Sequence, residues 1–274
     1  MTFRSVLVQQ DTTPGAAGRL AAAVRIASTS KAVLSGVFLK SGYMSPSGVM
    51  SPVAAADALF ADQRRQISQQ CATVKQVFEA ATRDAALDSN WHELNGDFDD
   101  DLIAHARMHD LVIVPGHMVS ASGDHTISAE SVAMACGGPV LVLPESGYPA
   151  SFGRKIVLAW KDCREAARAL RDAWPFLRQA EEIHVVTVAR EGVRQVDDLL
   201  QQQLQIHGCS SARLTLDRDS DRPAGELIRR HVDLLGADMI VLGLFGHSRL
   251  QETALGGVSK YLLANSPMPL LVSH

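Results

Sequence analysis

The sequence predicts an α/β protein made of two tandem, doubly wound parallel sheets of five strands each. Continuous runs of Val, Ile and Leu alternate with stretches in helical spacing along the chain, as expected for parallel strands covered by helices on both faces. Three pairs of similar segments recur in the same order, which indicates a tandem duplication. The 274 residues are enough for two ordinary domains.

The repeat is carried by three segment pairs. They are "SVLVQQD" (5–11) with "KIVLAWK" (155–161), "HDLVIVPG" (109–116) with "ADMIVLGL" (237–244), and "GGPVLVLP" (137–144) with "SPMPLLVS" (266–273). Between the copies, "PESGYPASFG" (144–153) is rich in Pro, Gly and Ser and is the natural linker. We therefore predict a first repeat over 1–146 and a second over 153–274.

Each repeat is predicted to contain five strands connected by helices. In the first, the strands are expected near 4–9, 32–39, 90–95, 111–114 and 139–143, with a loop and a long helix between the second and third. In the second, they are expected near 155–160, 183–188, 211–216, 238–243 and 269–272. Helices of the second repeat are expected near 164–178, 193–207, 224–236 and 257–265.

Composition excludes several classes of protein. The formal charge of −4 argues against a general nucleic-acid binder. No apolar stretch reaches the roughly 20 residues that span a bilayer, and the first residues lack a secretory pattern. The four cysteines, at positions 71, 136, 163 and 209, form no CxxC pair, which is typical of reduced thiols. We expect a cytoplasmic protein without nucleic-acid or membrane partners.

A glycine cluster follows the apolar run "MIVL" near the end of the chain. Gly243, Gly246 and Gly256 are spaced as G-x2-G-x9-G. A loop leaving the carboxyl end of a parallel strand can bring its backbone N–H groups close to phosphate oxygens. The helix that begins near Gly256 would point its free N–H groups and positive dipole end at the same anion.

This spacing resembles the nucleotide-binding motif of the universal stress protein family, in which Ser or Thr follows the third glycine. "ADMIVLG" and "MPLLVSH" resemble the fourth and fifth strands of that family, and "AWKDCREAARALRDAWPFL" the first strand and helix of its tandem bacterial members. The resemblance covers nearly the whole chain. It implies the Rossmann-like, adenine-nucleotide alpha-hydrolase-like fold and a role in the stress response. It also implies an intramolecular pseudo-dimer paired through the fifth strands, and a homodimer stays open.

The resemblance further implies that the second repeat binds ATP or a related adenine nucleotide, with Mg²⁺ left open. The positions that match the phosphate contacts of the family are Gly243, Gly246, Gly256, Gly257, Val258 and Ser259. Val188 matches the residue whose backbone meets adenine, and Leu242 adjoins the first glycine.

The sequence departs from the family pattern at two places. Lys161 replaces the Asp that hydrogen-bonds the ribose, so a pairing of this lysine with phosphate is the expected substitute. Gly257 replaces the Ser or Thr, which leaves Ser259 as the nearest hydroxyl in register. In the first repeat, Asp11 occupies the ribose-binding position, but "PGHMVSASGDHTISAESV" (115–132) lacks the motif. We expect no nucleotide there, and Asp11 is expected to serve as a turn or N-cap residue.

Three functions stay open at this point. The first is a nucleotide-binding regulator, the second a nucleotide-free interaction protein whose pocket has lapsed, and the third a slow ATPase. No paired carboxylates, Walker lysine or metal-ligand set supports the third, so no catalytic residue and no metal ligand is predicted. His105 and His109 have the one-turn spacing of metal ligands but are better interpreted as surface histidines.

Overall fold

A computed structural model of the chain describes residues 2–41, 54–95, 98–121, 126–188, 197–209, 212–217, 222–244 and 257–274. The chain divides into two compact units, Phe3–Val132 and Ala133–His274, the latter together with the first two residues. Both units are α/β with parallel strands, which confirms the predicted fold class. The repeat limits of 1–146 and 153–274 stay a prediction, because the two units are defined by packing and not by internal similarity.

The amino-terminal unit contains a four-stranded parallel sheet of order β4-β1-β2-β3. Val6 on the central strand β1 pairs with Leu34 on one side and Leu111 on the other, and its side chain is fully buried. In chain order the elements are β1 (Ser5–Gln10), α1 (Ala16–Ser30), β2 (Val33–Ser41), α2 (Ala54–Asp84), β3 (Ser89–Asn95), α3 (Phe98–Arg107), β4 (Leu111–Pro115), β5 (His117–Val119), β6 (Thr126–Ser128) and α4 (Ala129–Cys136), the last of which crosses the division between the units.

The carboxy-terminal unit contains five parallel strands and one antiparallel strand in the order β10-β9-β8-β11-β12-β7. In chain order the elements are β7 (Val140–Leu143), β8 (Lys155–Ala159), α5 (Arg164–Asp172), α6 (Trp174–Leu177), β9 (Glu182–Val188), α7 (Asp197–Ile206), β10 (Ala212–Asp217), α8 (Ala224–Leu235), β11 (Met239–Gly243), α9 (Gly257–Asn265) and β12 (Leu270–Ser273). Strand β7, predicted as the fifth strand of the first repeat, pairs with β12 through Leu270 and Val142. It thereby covers the edge of β12.

Two elements differ from the predicted pattern. The helix expected over 164–178 is divided into α5 and α6, because Pro175 at the start of α6 cannot donate the hydrogen bond that would continue α5. The β5–β6 hairpin was not predicted at all. Its strands have three residues each, too few for a recognisable alternation, although Met118 and Ile127 are buried.

A histidine cluster joins β3 to α3 in the amino-terminal unit. The rings of His92 and His105 lie 4.4 Å apart, and Nδ1 of His109 donates to the carbonyl oxygen of His105 at 2.7 Å. Burial, and then the neighbouring His105 and His109, lower the pKa of His92 below its ordinary value of 6.5. The unfolded chain therefore binds a proton more readily than the folded one at this position.

The stability of the amino-terminal unit is therefore expected to decrease as the pH falls below about 6.5, because protonation of His92 favours the unfolded chain. Urea denaturation at pH 8 and pH 5 measures the effect. His92→Gln is expected to reduce the loss of stability between the two pH values, whereas His117→Gln, at an exposed position on β5, is expected to leave it unchanged. Equal pH dependence of the His92 variant and the wild type would contradict the assignment.

Candidate functional site

The candidate site lies at the carboxyl edge of the sheet in the carboxy-terminal unit. Strands β8 and β11, the first and fourth of the predicted second repeat, are neighbours, with Ala159 opposite Leu242. Strand β9 lies on the other side of β8, with Ala159 opposite Val186. The order of the strands reverses between β8 and β11, and a ligand crevice forms at such a switch point in doubly wound sheets. The fold thus brings the ends of three strands to one edge.

The predicted residues described at this edge have different surroundings. Lys161 lies two residues beyond β8 and is exposed, and Val188 ends β9 with a half-buried side chain. Leu242 is buried in the core, so its side chain is not offered to the edge. Gly246 and Gly256 lie outside the described residues.

Gly243 ends β11 in close contact with the start of α5. A Cβ atom at this position would lie 2.5 Å from the backbone N of Ala166 and 2.7 Å from the carbonyl oxygen of Glu165. The Sγ atom of Cys163 caps this helix by accepting from the N–H of Ala166 at 3.4 Å. The approach of the α5 backbone therefore requires glycine at position 243, independently of any ligand.

Helix α9 begins at Gly257, and its first turn contains the remaining predicted phosphate contacts. Gly257 is exposed, and a Cβ atom there would meet no other atom within 4 Å. Val258 is half-buried. Ser259 is fully buried, and its hydroxyl donates to the carbonyl oxygen of Gly243 at 3.4 Å. In this structure the Ser259 hydroxyl therefore bonds the backbone at the end of β11, and its contact with phosphate stays a prediction.

The start of α5 adds charges to the same edge. Arg164 and Glu165 form an ion pair at 3.1 Å. Burial alone would raise the pKa of Glu165, but its own backbone N–H and the Arg164 guanidinium outweigh this effect and lower it. Glu165 is thus a carboxylate at neutral pH. Burial raises the pKa of the Cys163 thiol, so this helix start does not hold a thiolate, and all four cysteines are free.

The corresponding edge of the amino-terminal unit is differently built. Asp11 Oδ1 accepts from the backbone N–H of Thr13 at 2.9 Å, which makes Asp11 a turn residue, while the N-cap position of α1 is Gly15. Asp11 Oδ2 pairs at 2.8 Å with Arg19, whose side chain is 2% exposed. Both carboxylate oxygens of the residue that matches the ribose-binding Asp are therefore occupied by the protein itself.

The β5–β6 hairpin also lies at the carboxyl edge of the sheet in the amino-terminal unit. The N–H of Ala121 donates to the carbonyl oxygen of Leu39, near the end of β2, at 3.0 Å. The N–H of Ala129 donates to the carbonyl oxygen of Gly116 at 3.0 Å, and the Met118 side chain is fully buried. In chain order the hairpin follows β4, as the glycine-spaced segment follows β11 in the second repeat.

Two features of the described residues bear on the class of protein. None of their His, Cys, Asp and Glu side chains group in threes in a way that could hold a metal ion. No helix in the described ranges is long and apolar enough to cross a membrane.

These features define a doubly wound α/β protein with a strand switch point between β8 and β11 of its carboxy-terminal unit. Residues 213–274 match the model of the universal stress protein family. The whole chain is similar in structure to a universal stress protein from Archaeoglobus fulgidus DSM 4304, with 16% identity, a TM-score of 0.73 and coverage of 98% of this chain and 97% of that one. The predicted resemblance is confirmed to this extent: residues 213–274 match the family model, and the chain has the fold of a solved universal stress protein.

Two structures from Pseudomonas aeruginosa show the same overall similarity. A putative universal stress protein from strain UCBPP-PA14 is 16% identical, with a TM-score of 0.57 and coverage of 99% of this chain and 93% of that one. A functionally unknown protein from strain PAO1 is 15% identical, with a TM-score of 0.57 and coverage of 99% and 92%. No functionally curated protein matches the chain. At these identities the structures establish the fold.

Proposed function

We propose that the second repeat binds ATP or a related adenine nucleotide and that the protein acts as a non-enzymatic regulator in the stress response. One observation carries the proposal: Lys161, Val188 and Gly243 lie at the ends of three adjacent strands, at the switch point of the sheet. The G-x2-G-x9-G spacing begins at the last of these residues. A ligand at this edge would have adenine near the backbone of Val188 and its phosphates near the start of α9.

The charges and backbone groups of the edge suit a polyphosphate. The exposed Lys161 supplies a positive charge beside β8. Helix α9 has nine residues and starts at the exposed Gly257, and the N–H groups of a first helical turn have no acceptor within the helix, which suits an anion. The Glu165 carboxylate would repel a phosphate, but its ion pair with Arg164 balances this negative charge.

A second candidate, a nucleotide-free interaction protein, is favoured by the hydroxyl groups of the site. Position 257 has no hydroxyl, and that of Ser259 is buried against Gly243. Neither position therefore offers a hydroxyl to a ligand in this arrangement. The two candidates differ in one measurable property, the affinity for adenine nucleotides.

Purified protein is expected to gain thermal stability from ATP, by about 2.7 kcal/mol of unfolding free energy at a concentration one hundred times the dissociation constant. Gly246→Val is expected to abolish this gain, because a branched side chain blocks the approach of phosphate to the backbone. Differential scanning calorimetry with and without ATP measures the effect, and a repeat with EDTA decides whether Mg²⁺ contributes. Phosphate release is expected to stay at background.

Gly116→Val provides the matched control, since Gly116 follows β4 in the first repeat and a Cβ atom there would meet no neighbour within 4 Å. It is expected to keep the gain. Gly257→Ser restores the hydroxyl of the family pattern in open space and is expected to tighten binding. No gain with ATP, ADP or AMP, and no nucleotide released by heating, would leave the nucleotide-free interaction protein as the function.

We also propose a location for the protein and an association between its two repeats. We place it in the cytoplasm, with the two repeats forming an intramolecular pseudo-dimer. The pairing of β7 with β12 supports this association. Light scattering of the purified chain distinguishes a monomer of two repeats from a homodimer, and cell fractionation tests the location.

A further inference from the structure

The end of β11 is held by the last residues of the chain. The backbone N–H of Leu244, the first residue after β11, donates to the carbonyl oxygen of Ser273 at 2.8 Å. The carbonyl oxygen of Leu244 lies 3.0 Å from Nδ1 of His274. A carbonyl oxygen only accepts, so Nδ1 of His274 carries the proton and donates. Both backbone groups of Leu244 are therefore bonded to Ser273 and His274.

Two other elements fix the neighbouring Gly243. Its carbonyl oxygen accepts from the buried hydroxyl of Ser259 on α9, and its Cα lies against the backbone of α5. We call Gly243, Leu244, Ser259 and His274 the stem. The stem joins the residue at which β11 ends to the first turn of α9, so it fixes the backbone at the end of this strand.

His274 is the member of the stem that packing constrains least. Its side chain is half-buried, whereas Leu244 and Ser259 are fully buried. Removal of the imidazole would therefore leave the core intact. It would release only the carbonyl group of Leu244, the residue that follows the first glycine of the motif.

We propose that His274 is a positioning residue of the nucleotide site, which holds the Leu244 carbonyl through Nδ1 and so fixes the backbone at Gly243 and Leu244, where β11 ends. This inference rests on the proposed nucleotide binding. When only part of the protein has the binding conformation, the apparent affinity falls by that fraction. The loss of one hydrogen bond that holds this conformation is expected to weaken binding about 2- to 10-fold.

The test compares ATP affinities, measured by calorimetric titration, of the wild type and three variants of the full chain. His274→Ala is expected to weaken binding about 2- to 10-fold. His274→Asn places an amide N–H where Nδ1 lies and is expected to restore affinity. His274→Gln places it where Nε2 lies, one bond farther along the side chain, and is expected not to. Hydrogen exchange at the Leu244 amide, without nucleotide, is expected to be faster in the alanine and glutamine variants.

Asn265→Ala is the matched control, because Nδ2 of Asn265 makes the same kind of bond, to the carbonyl oxygen of Tyr261 at 2.8 Å, at the other end of α9. It is expected to leave ATP affinity unchanged. Wild-type affinity in His274→Ala, or an equal loss in Asn265→Ala, would overturn the inference while leaving nucleotide binding in place. Absence of ATP binding by the wild type would overturn the proposed function and this inference with it.

Discussion

Replacement of Asp11 by alanine is expected to lower the unfolding free energy of the amino-terminal unit by about 3–5 kcal/mol. Asp11 accepts from Thr13 and pairs with Arg19 at 2.8 Å, and the Arg19 side chain is 2% exposed. Nε of Arg19 donates to the carbonyl oxygen of Gln9, a neutral group. Removal of the carboxylate therefore leaves a buried guanidinium without a counter-charge. Chemical denaturation, followed by circular dichroism, measures the change.

The control for this variant is an ion pair on the surface. Glu181 pairs with Arg154, and both side chains are more than half exposed, so Glu181→Ala is expected to cost at most about 1 kcal/mol. The double variant Asp11→Ala/Arg19→Met removes both charges and is expected to recover most of the stability lost in Asp11→Ala. A double variant as unstable as Asp11→Ala would show that the lost carboxylate contacts, and not the unpaired guanidinium, cause the effect.

The Asp11–Arg19 pair also determines how the stability of the amino-terminal unit changes at low pH. Burial would raise the pKa of Asp11, but the Arg19 charge and the hydrogen bonds from Thr13 outweigh it and hold the pKa below 3.8. The stability that this group contributes is therefore complete above its ordinary pKa and disappears as the pH falls through the lowered one. The histidine cluster around His92 loses its contribution at a higher pH, so the two groups act in separate ranges.

Gly243→Ala is expected to destabilise the carboxy-terminal unit by about 1–3 kcal/mol, because the added methyl group meets backbone atoms. Its neighbours would be the carbonyl group of Glu165 and the N–H of Ala166, so α5 itself would have to shift. Gly257→Ala is the matched substitution, fourteen positions farther along the chain. The methyl group added at position 257 would enter open space, so this substitution is expected to stabilise α9 by about 0.4–1 kcal/mol.

Thermal denaturation of the two alanine variants tests this contrast. The melting temperature is expected to fall in Gly243→Ala and to rise in Gly257→Ala. Equal melting temperatures would contradict the close approach of α5 to β11. The result also decides how ligand experiments are designed. A variant of Gly243 that loses nucleotide binding shows a damaged scaffold, whereas Gly246→Val and Gly257→Ser address the ligand more directly.

The sequence predicted the strands well because buried parallel strands are continuous apolar runs. "MIVL" and "KIVLA" became β11 and β8 within one or two residues of the expected limits. The strands that contain or precede Val188, Lys161 and Gly243 are neighbours in the sheet, and the site that these residues would share stays a prediction. Periodicity and motif spacing are local properties of the chain, and these predictions needed nothing more.

Long-range contacts could not be predicted in this way. Nothing in the sequence near Gly243 shows that α5 approaches it, so the glycine was assigned to ligand binding although packing alone requires it. The bond from His274 to Leu244 joins residues thirty positions apart, and the pairing of Asp11 with Arg19 depends on the rotation of α1 relative to β1. Contacts of this kind are set by how the elements pack, which residue spacing does not specify.

The pairing of β7 with β12 has a consequence for how the gene can be divided. A fragment cut at the Pro- and Gly-rich linker would contain β12 but not its neighbour Val140–Leu143, and would expose a short apolar edge to other chains. The predicted boundary between the repeats is thus the wrong place to divide the chain. A fragment intended to carry the nucleotide motif with that edge protected begins at Ala133 or earlier.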